Sequence, residues 1–91
     1  MMTDIDVNIA TIIKEEIAQL SSVTIDPKDI KDEAWVIEFG LDSIRGVELM
    51  IALEERLDVI LPDPDAKQIE KVSDIIRLVE AEVKSQKQLE P

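Results

Sequence analysis

Ser43 lies in the run FGLDSIRGVELM, residues 39–50, directly after an aspartate and directly before a stretch of helical spacing. A serine hydroxyl there can serve as a nucleophile or as a helix cap. The first role needs a base. The chain holds no histidine and no cysteine, so no side chain titrates near neutrality at its ordinary pKa, and no thiolate can form. A nucleophile–base pair cannot be assembled, which argues against a self-sufficient hydrolase or transferase. Calcium chemistry is suggested by DPDAKQIE, where Asp63 and Asp65 alternate as in a calcium loop. Lys67 then takes a ligand position and Gln68 the place that needs glycine, so no metal site is expected. Taken alone, Ser43 reads as a cap, since serine is a preferred N-cap and Asp-Ser before a helix is ordinary.

The elements that position this serine follow from apolar spacing. Ile5, Ile9, Ile12, Ile13, Ile17 and Leu20 mark one face of a first helix, with Thr3 and Asp6 as a weak cap at its start. From 21 to 42 the pattern breaks into a long connection with a short helical turn around DEAWVIEF. A connection of that length in a small domain must be functional or pinned down. Trp35 and Phe39 are the expected pins, driven between helices with help from Val23, Ile25 and Ile30; the alternative for an aromatic here is a ligand platform. Gly40 permits a tight turn, and Asp42 or Ser43 can cap a second helix from Ile44 to about Leu57. Pro62 stops the chain, and Asp63 with Pro64 suits a short third helix reaching Ile69. Val72, Ile75, Ile76, Val79 and Val83 define a final helix with Ser73 as its cap. The expected fold is all-α: a bundle of three long helices and one short, with a long loop between the first two. The domain is expected over 1–84, with a mobile tail over 85–91.

The second helix sorts into two apolar stripes at about 100° per residue. Gly46, Leu49, Met50, Leu53 and Leu57 form the side expected to face the core. Ile44, Val47 and Ile51 lie nearly opposite, interleaved with Glu48 and Glu55 and flanked by Glu54. A surface helix of a small bundle needs one buried face, so the second stripe is surplus to folding. Scattered exposed apolar residues are normal on proteins. A stripe ringed by carboxylates and starting one residue after Ser43 fits better as a docking surface for a basic groove on a partner.

Composition bounds the setting. The 91 residues are 45% apolar with a single Trp, a single Phe and no Tyr, enough for one aliphatic core. No apolar run approaches the ~20 residues of a membrane span. MMTDID has neither the basic start nor the apolar centre of a signal peptide, so a soluble, untargeted, cytoplasmic monomer is expected. The net charge of −11 repels nucleic acid and anionic lipid and favours partners with basic patches.

Gly40, Leu41, Asp42, Ser43 and Ile44, followed by Val47, Glu48 and Leu49, and then by Glu54, Glu55, Leu61, Pro62 and Ala66, fall in register with one family. The chain resembles the acyl carrier proteins, or phosphopantetheine-carrier proteins, over nearly its whole length and most densely from Gly40 to Pro62. The resemblance implies that Ser43 is an acceptor. A phosphopantetheinyl transferase, using Mg²⁺, would place the coenzyme A arm there as a phosphodiester, and the arm's thiol would carry acyl or aminoacyl groups as thioesters. Asp42 would face a basic residue on the transferase. Ile44, Val47, Glu48, Ile51, Glu54 and Glu55 would meet basic docking patches on the loading and condensing enzymes.

Arg45 departs from the family's fatty-acid-synthesis members, which usually place an acidic residue there. DSIRGVEL looks more like carriers of polyketide or nonribosomal peptide synthesis, or stand-alone specialised carriers, and that pathway class is favoured over primary fatty acid biosynthesis. Arg45 lies off both stripes, which is equally what a solvated arginine would do. Asp58-Val59 stands where many relatives have a Phe or Leu followed by Gly. The remaining reading of another class is an unmodified acidic interaction module in which Ser43 is only a cap.

Overall fold

The computed structural model describes residues 4–62 and 69–87. Among them are three α-helices: α1 (Asp4–Leu20), α2 (Ser43–Leu57) and α3 (Val72–Lys87). The expected cap residue Thr3, the short helix over 63–68, the calcium-like aspartates, Ala66 and residues 88–91 lie outside the described residues. Ile69 is outside any helix and packs partly against the core. The α3 helix continues through Lys87, three residues past the expected boundary at 84.

The core forms where the apolar stripes meet. Ile9, Ile13 and Ile17 of α1 are buried against Leu49, Met50, Leu53 and Leu57 of α2 and Val72, Ile75, Ile76, Val79 and Val83 of α3. Each set recurs at three- and four-residue spacing, so each helix turns one apolar face inward. Across the helix surfaces, Arg56 Nη1 on α2 lies 3.0 Å from both Glu15 Oε1 and Glu16 Oε2 of α1. These pairs are exposed and add little beyond orientation.

The connection over 21–42 is structured. It contains two short 3-10 turns, Pro27–Asp29 and Val36–Phe39. Ile30, Val36, Phe39 and Leu41 are buried in the core. Trp35 is a correction: it was expected as a buried pin, yet it is 45% exposed. The reason is the eclipsed i, i+3 geometry of a 3-10 turn, which sends Val36 and Phe39 inward together and leaves the flanking positions outside. Lys71 Nζ sits 5.2 Å from the Trp35 ring centre, a cation–π contact on the surface. Val23 is likewise exposed, while Ile25 packs partly against the core.

What pins this segment is its backbone. The Val36 N–H donates to the Glu70 carbonyl at 2.8 Å and the Val72 N–H to the Ala34 carbonyl at 3.0 Å, an antiparallel bridge between Trp35 and Lys71. The Ser73 N–H donates to the Asp32 carbonyl at 2.9 Å, and Lys14 Nζ meets Asp32 Oδ1 at 2.7 Å. At the other end the Ser22 N–H donates to the Phe39 carbonyl at 2.9 Å. Gly40 turns the chain into α2 with φ +74°, and a Cβ there would overlap Ser22 Oγ. Glycine is needed on both counts.

Ser73 does not cap α3; it is the helix's second residue. The orphan N–H groups of Val72 and Ser73 are satisfied by carbonyls of the connection, so no serine cap is called for. Asp74 instead reaches back, Oδ2 accepting from the Lys71 N–H at 2.9 Å and the Glu70 N–H at 3.0 Å, with Arg77 Nη2 at 2.6 Å from Oδ1. The Lys71 and Glu70 amides, in that order, hold the Asp74 carboxyl below its ordinary pKa. A depressed folded pKa means stability that is present above the unfolded value, about 4, and lost as pH falls through the folded one. Asp74→Asn is therefore expected to cost about 1 kcal/mol at pH 7. Urea midpoints taken from pH 7 downward should show this gap closing only below about pH 4; a gap constant with pH would show that the carboxylate's charge is immaterial.

Candidate functional site

Ser43 is the first residue of α2, and the cap role left open between two residues falls to Asp42. Asp42 has extended backbone, and its Oδ1 accepts from the Arg45 N–H at 2.9 Å. Its carbonyl accepts from the Gly46 N–H at 2.8 Å. With the cap supplied by its neighbour, the Ser43 hydroxyl is exposed and makes no hydrogen bond among the described residues. The N–H groups of Ser43 and Ile44 belong to the first turn, where no intrahelical acceptor exists. They and the helix's partial positive charge face the same solvent as the hydroxyl, a setting suited to a phosphate.

Ser43 also lines a groove of about 640 Å³. Its walls are the turn Trp35, Val36 and Ile37 on one side and Leu41, Gly46 and Val47 on the other, with Ile69 and Glu70 beyond. Gly46 was expected in the core, but it is half-buried and a Cβ built on it would touch nothing within 4 Å. It fronts the groove.

The second stripe of α2 is where the spacing put it. Ile44 is 70% exposed, and Val47 and Ile51 are about half exposed. Glu48 and Glu55 are exposed beside them and make no ion pair among the described residues. Glu54 is drawn out of this group: it is half-buried, and its Oε2 accepts from the Leu61 N–H at 2.8 Å. It secures the chain after α2, where Asp58 closes the helix in the left-handed region at φ 56°. That is the conformation a glycine would adopt more easily. Gln86 of α3 secures the same segment, accepting from the Ile60 N–H at 2.9 Å and donating to its carbonyl at 2.6 Å.

Arg45 also has a structural role that sequence spacing does not reveal. Its Nη1 donates to the carbonyl of Leu20, the last residue of α1, at 2.7 Å. A cation on the C-terminal carbonyls of a helix complements its dipole. The bond ties the start of α2 to the end of α1. Ile37 is the other residue missed. It is 77% exposed between buried neighbours, and the available signal was an apolar residue one step off the Val36–Phe39 spacing.

Over residues 11–79 the chain matches the family described as "Phosphopantetheine attachment site". It is 36% identical to an acyl carrier protein of Wolinella succinogenes over 69 residues, which is 75% of this chain and 88% of that protein. Acyl carrier proteins of Campylobacter lari, 39% identical over 62 residues (67% and 80% of the two chains), and of a Sulfurovum species, 35% over 69 residues (75% and 89%), are similar to it as well. The chain belongs to the acyl carrier protein family. An acyl carrier protein is not an enzyme, and membership implies a covalently attached 4′-phosphopantetheine group together with a transferase and acyl-handling enzymes as partners. An exposed serine and first-turn N–H groups, neither bonded among the described residues, together with an adjoining groove fit such a group. No described helix is long and apolar enough to cross a membrane.

The Asp42 cap is a stability element in its own right. Asp42→Ala should lower unfolding free energy by about 1 kcal/mol in urea melts, whereas Asp42→Ser should recover most of it. Equal losses in both variants would show that the Oδ1–Arg45 bond is not what holds the helix start.

Proposed function

We propose that Ser43 is the attachment point of the arm and that this carrier delivers acyl or aminoacyl thioesters between enzymes. The observation that supports it most is the division of labour at the start of α2: Asp42 caps, and the adjacent Ser43 is exposed and makes no side-chain hydrogen bond among the described residues. In the transfer, the Ser43 oxygen bonds to the arm's phosphorus while the pyrophosphate bond of coenzyme A breaks and adenosine 3′,5′-bisphosphate leaves. The hydroxyl proton passes to a base on the transferase, since this chain has no histidine to receive it. Once bound, the group supplies the thiol that holds the cargo as a thioester.

Ile44, Val47 and Ile51 are the apolar anchors of the docking face, with Glu48 and Glu55 as its charges and Asp42 toward the transferase. Glu54 acts from behind, holding the segment after α2. Such contacts bind weakly and exchange quickly, as a carrier with successive cytoplasmic partners requires. Arg45 supports a specialised polyketide, peptide or lipid pathway over primary fatty-acid synthesis: it puts a positive charge two residues from the acceptor. Its bond to Leu20 fixes that charge in place rather than leaving it to swing away.

Incubation with coenzyme A, Mg²⁺ and a broad-specificity transferase should raise the intact mass by one phosphopantetheine, and Ser43→Ala should abolish the gain. No gain by the unaltered protein would leave an unmodified interaction module. For the pathway, the holo protein should be a poor substrate for a fatty-acid-synthesis malonyl transferase, and Arg45→Asp should improve it about tenfold in kcat/KM. Efficient loading of the unaltered protein would assign it to the fatty-acid pathway.

A further inference from the structure

Ile37 has no part in the core and none in the acceptor role. It is 77% exposed on a four-residue turn whose neighbours Val36 and Phe39 are buried. The turn is also rigidly placed: the Val36 N–H is bonded to Glu70, and the Gly40 N–H donates to the Ile37 carbonyl at 3.0 Å. An apolar side chain held outward on a fixed backbone loses little entropy when it is covered. Ile37 and Trp35 face the same groove as Ser43 and Val47, so any enzyme that reaches the Ser43 hydroxyl meets them.

We propose that the Trp35–Ile37 wall is a second half of the docking surface, facing the α2 stripe across the groove. The transferase would fill the groove with an apolar side chain flanked by basic ones. This rests on Ser43 as the attachment point. The charge around the groove selects that occupant. Asp42 and Glu70 both line it, no cationic side chain among the described residues does, and the chain carries −11 net charge. The rim is thus acidic, and its complement is lysine or arginine around an apolar tip. The carrier's own arm is the competing occupant, but it is not yet tethered when the transferase binds.

The test uses the full-length apo protein, a broad-specificity transferase, coenzyme A and Mg²⁺, with initial rates followed by intact mass. Ile37→Asp should raise KM for the carrier about tenfold, as loss of an interface anchor does, and leave kcat within about twofold. Ile37→Ser should raise KM in the same direction by a smaller factor. Ile60→Asp is the control: Ile60 is 78% exposed and does not line the groove, so the same added charge there should leave KM unchanged. Circular dichroism melts confirm that each variant is folded. Equal KM values for the unaltered protein, Ile37→Asp and Ile60→Asp would overturn the proposal. A change in Trp35 emission on arm attachment, with KM unaffected by Ile37→Asp, would overturn it by assigning the groove to the arm. If the unaltered protein gains no mass, the attachment reading fails and takes this one with it; normal gain with an unchanged KM removes this one alone.

Discussion

The bridge between the connection and the start of α3 is the constraint on which the rest depends. A long irregular segment in a small helical domain has backbone groups to satisfy, and the first turn of a helix has N–H groups without acceptors. Here each problem solves the other. The carbonyls of Ala34 and Asp32 receive the N–H groups of Val72 and Ser73, and the Glu70 carbonyl receives the Val36 N–H. The connection is thereby held in one path, with Val36, Phe39 and Leu41 turned into the core. That path ends at the Gly40 turn, which delivers Asp42 as a cap and Ser43 as the first exposed residue of α2. It also stands Trp35 and Ile37 opposite Val47, so the groove beside the serine is a by-product of the same bonds.

With the connection fixed, α2 divides its surface between two jobs. Leu49, Met50, Leu53 and Leu57 are buried, and Ile44, Val47 and Ile51 face solvent. The charged residues of this helix divide in the same way. Glu48 and Glu55 keep their carboxylates outward, whereas Glu54, Arg45 and Arg56 are drawn into contacts that hold the domain together. Only the first pair adds to the long-range field of a chain carrying −11 net charge without also serving as a strut. Electrostatic attraction of that kind raises encounter rates more than it raises affinity. The stripe holds no aromatic anchor, which suits the short-lived complexes of the proposed docking role.

The parts of this arrangement that repeat at helical spacing were legible in the residues themselves. The inward faces of α1, α2 and α3 follow from Ile9–Ile13–Ile17, Leu49–Leu53–Leu57 and Val72–Ile75–Ile76–Val79–Val83, and the outward stripe of α2 follows from the same wheel. What escaped were features set by a 3-10 turn or by contacts distant in sequence. Trp35 looks like a core aromatic until the 3-10 turn aligns Val36 with Phe39. Ser73 looks like a cap until the connection supplies carbonyls to the orphan amides. Gly46 shares the wheel position of core residues yet fronts the groove, because the opposing wall comes from another segment. Arg45 looks solvated until the end of α1 is known to lie within reach. Local chemistry was readable at the Gly40 turn, though not the close approach of Ser22, and it narrowed the cap to Asp42 or Ser43.

A chain without histidine or cysteine is compatible with reaction chemistry that resides in its partners. A carrier hands its cargo to enzymes that bring their own bases, and a reactive side chain near the acceptor would compete for the thioester. A chain with no catalytic group can discriminate among partners only through shape and charge around the acceptor. In the proposed docking role those contacts are the apolar stripe, the carboxylates of Glu48 and Glu55, the groove wall and the guanidinium of Arg45, and each would carry a share of the choice of partner. Arg45 is the most exposed to that consequence. The same guanidinium ties the end of α1 to the start of α2 and puts a positive charge near Ser43, so a substitution there acts on architecture and on local charge together. Separating the two effects requires replacing the charge while retaining a donor to the Leu20 carbonyl. A glutamine in place of Arg45 keeps a donor with shorter reach, so recognition that survives Arg45→Gln while stability falls would assign the arginine to the scaffold, and the reverse would assign it to the partner.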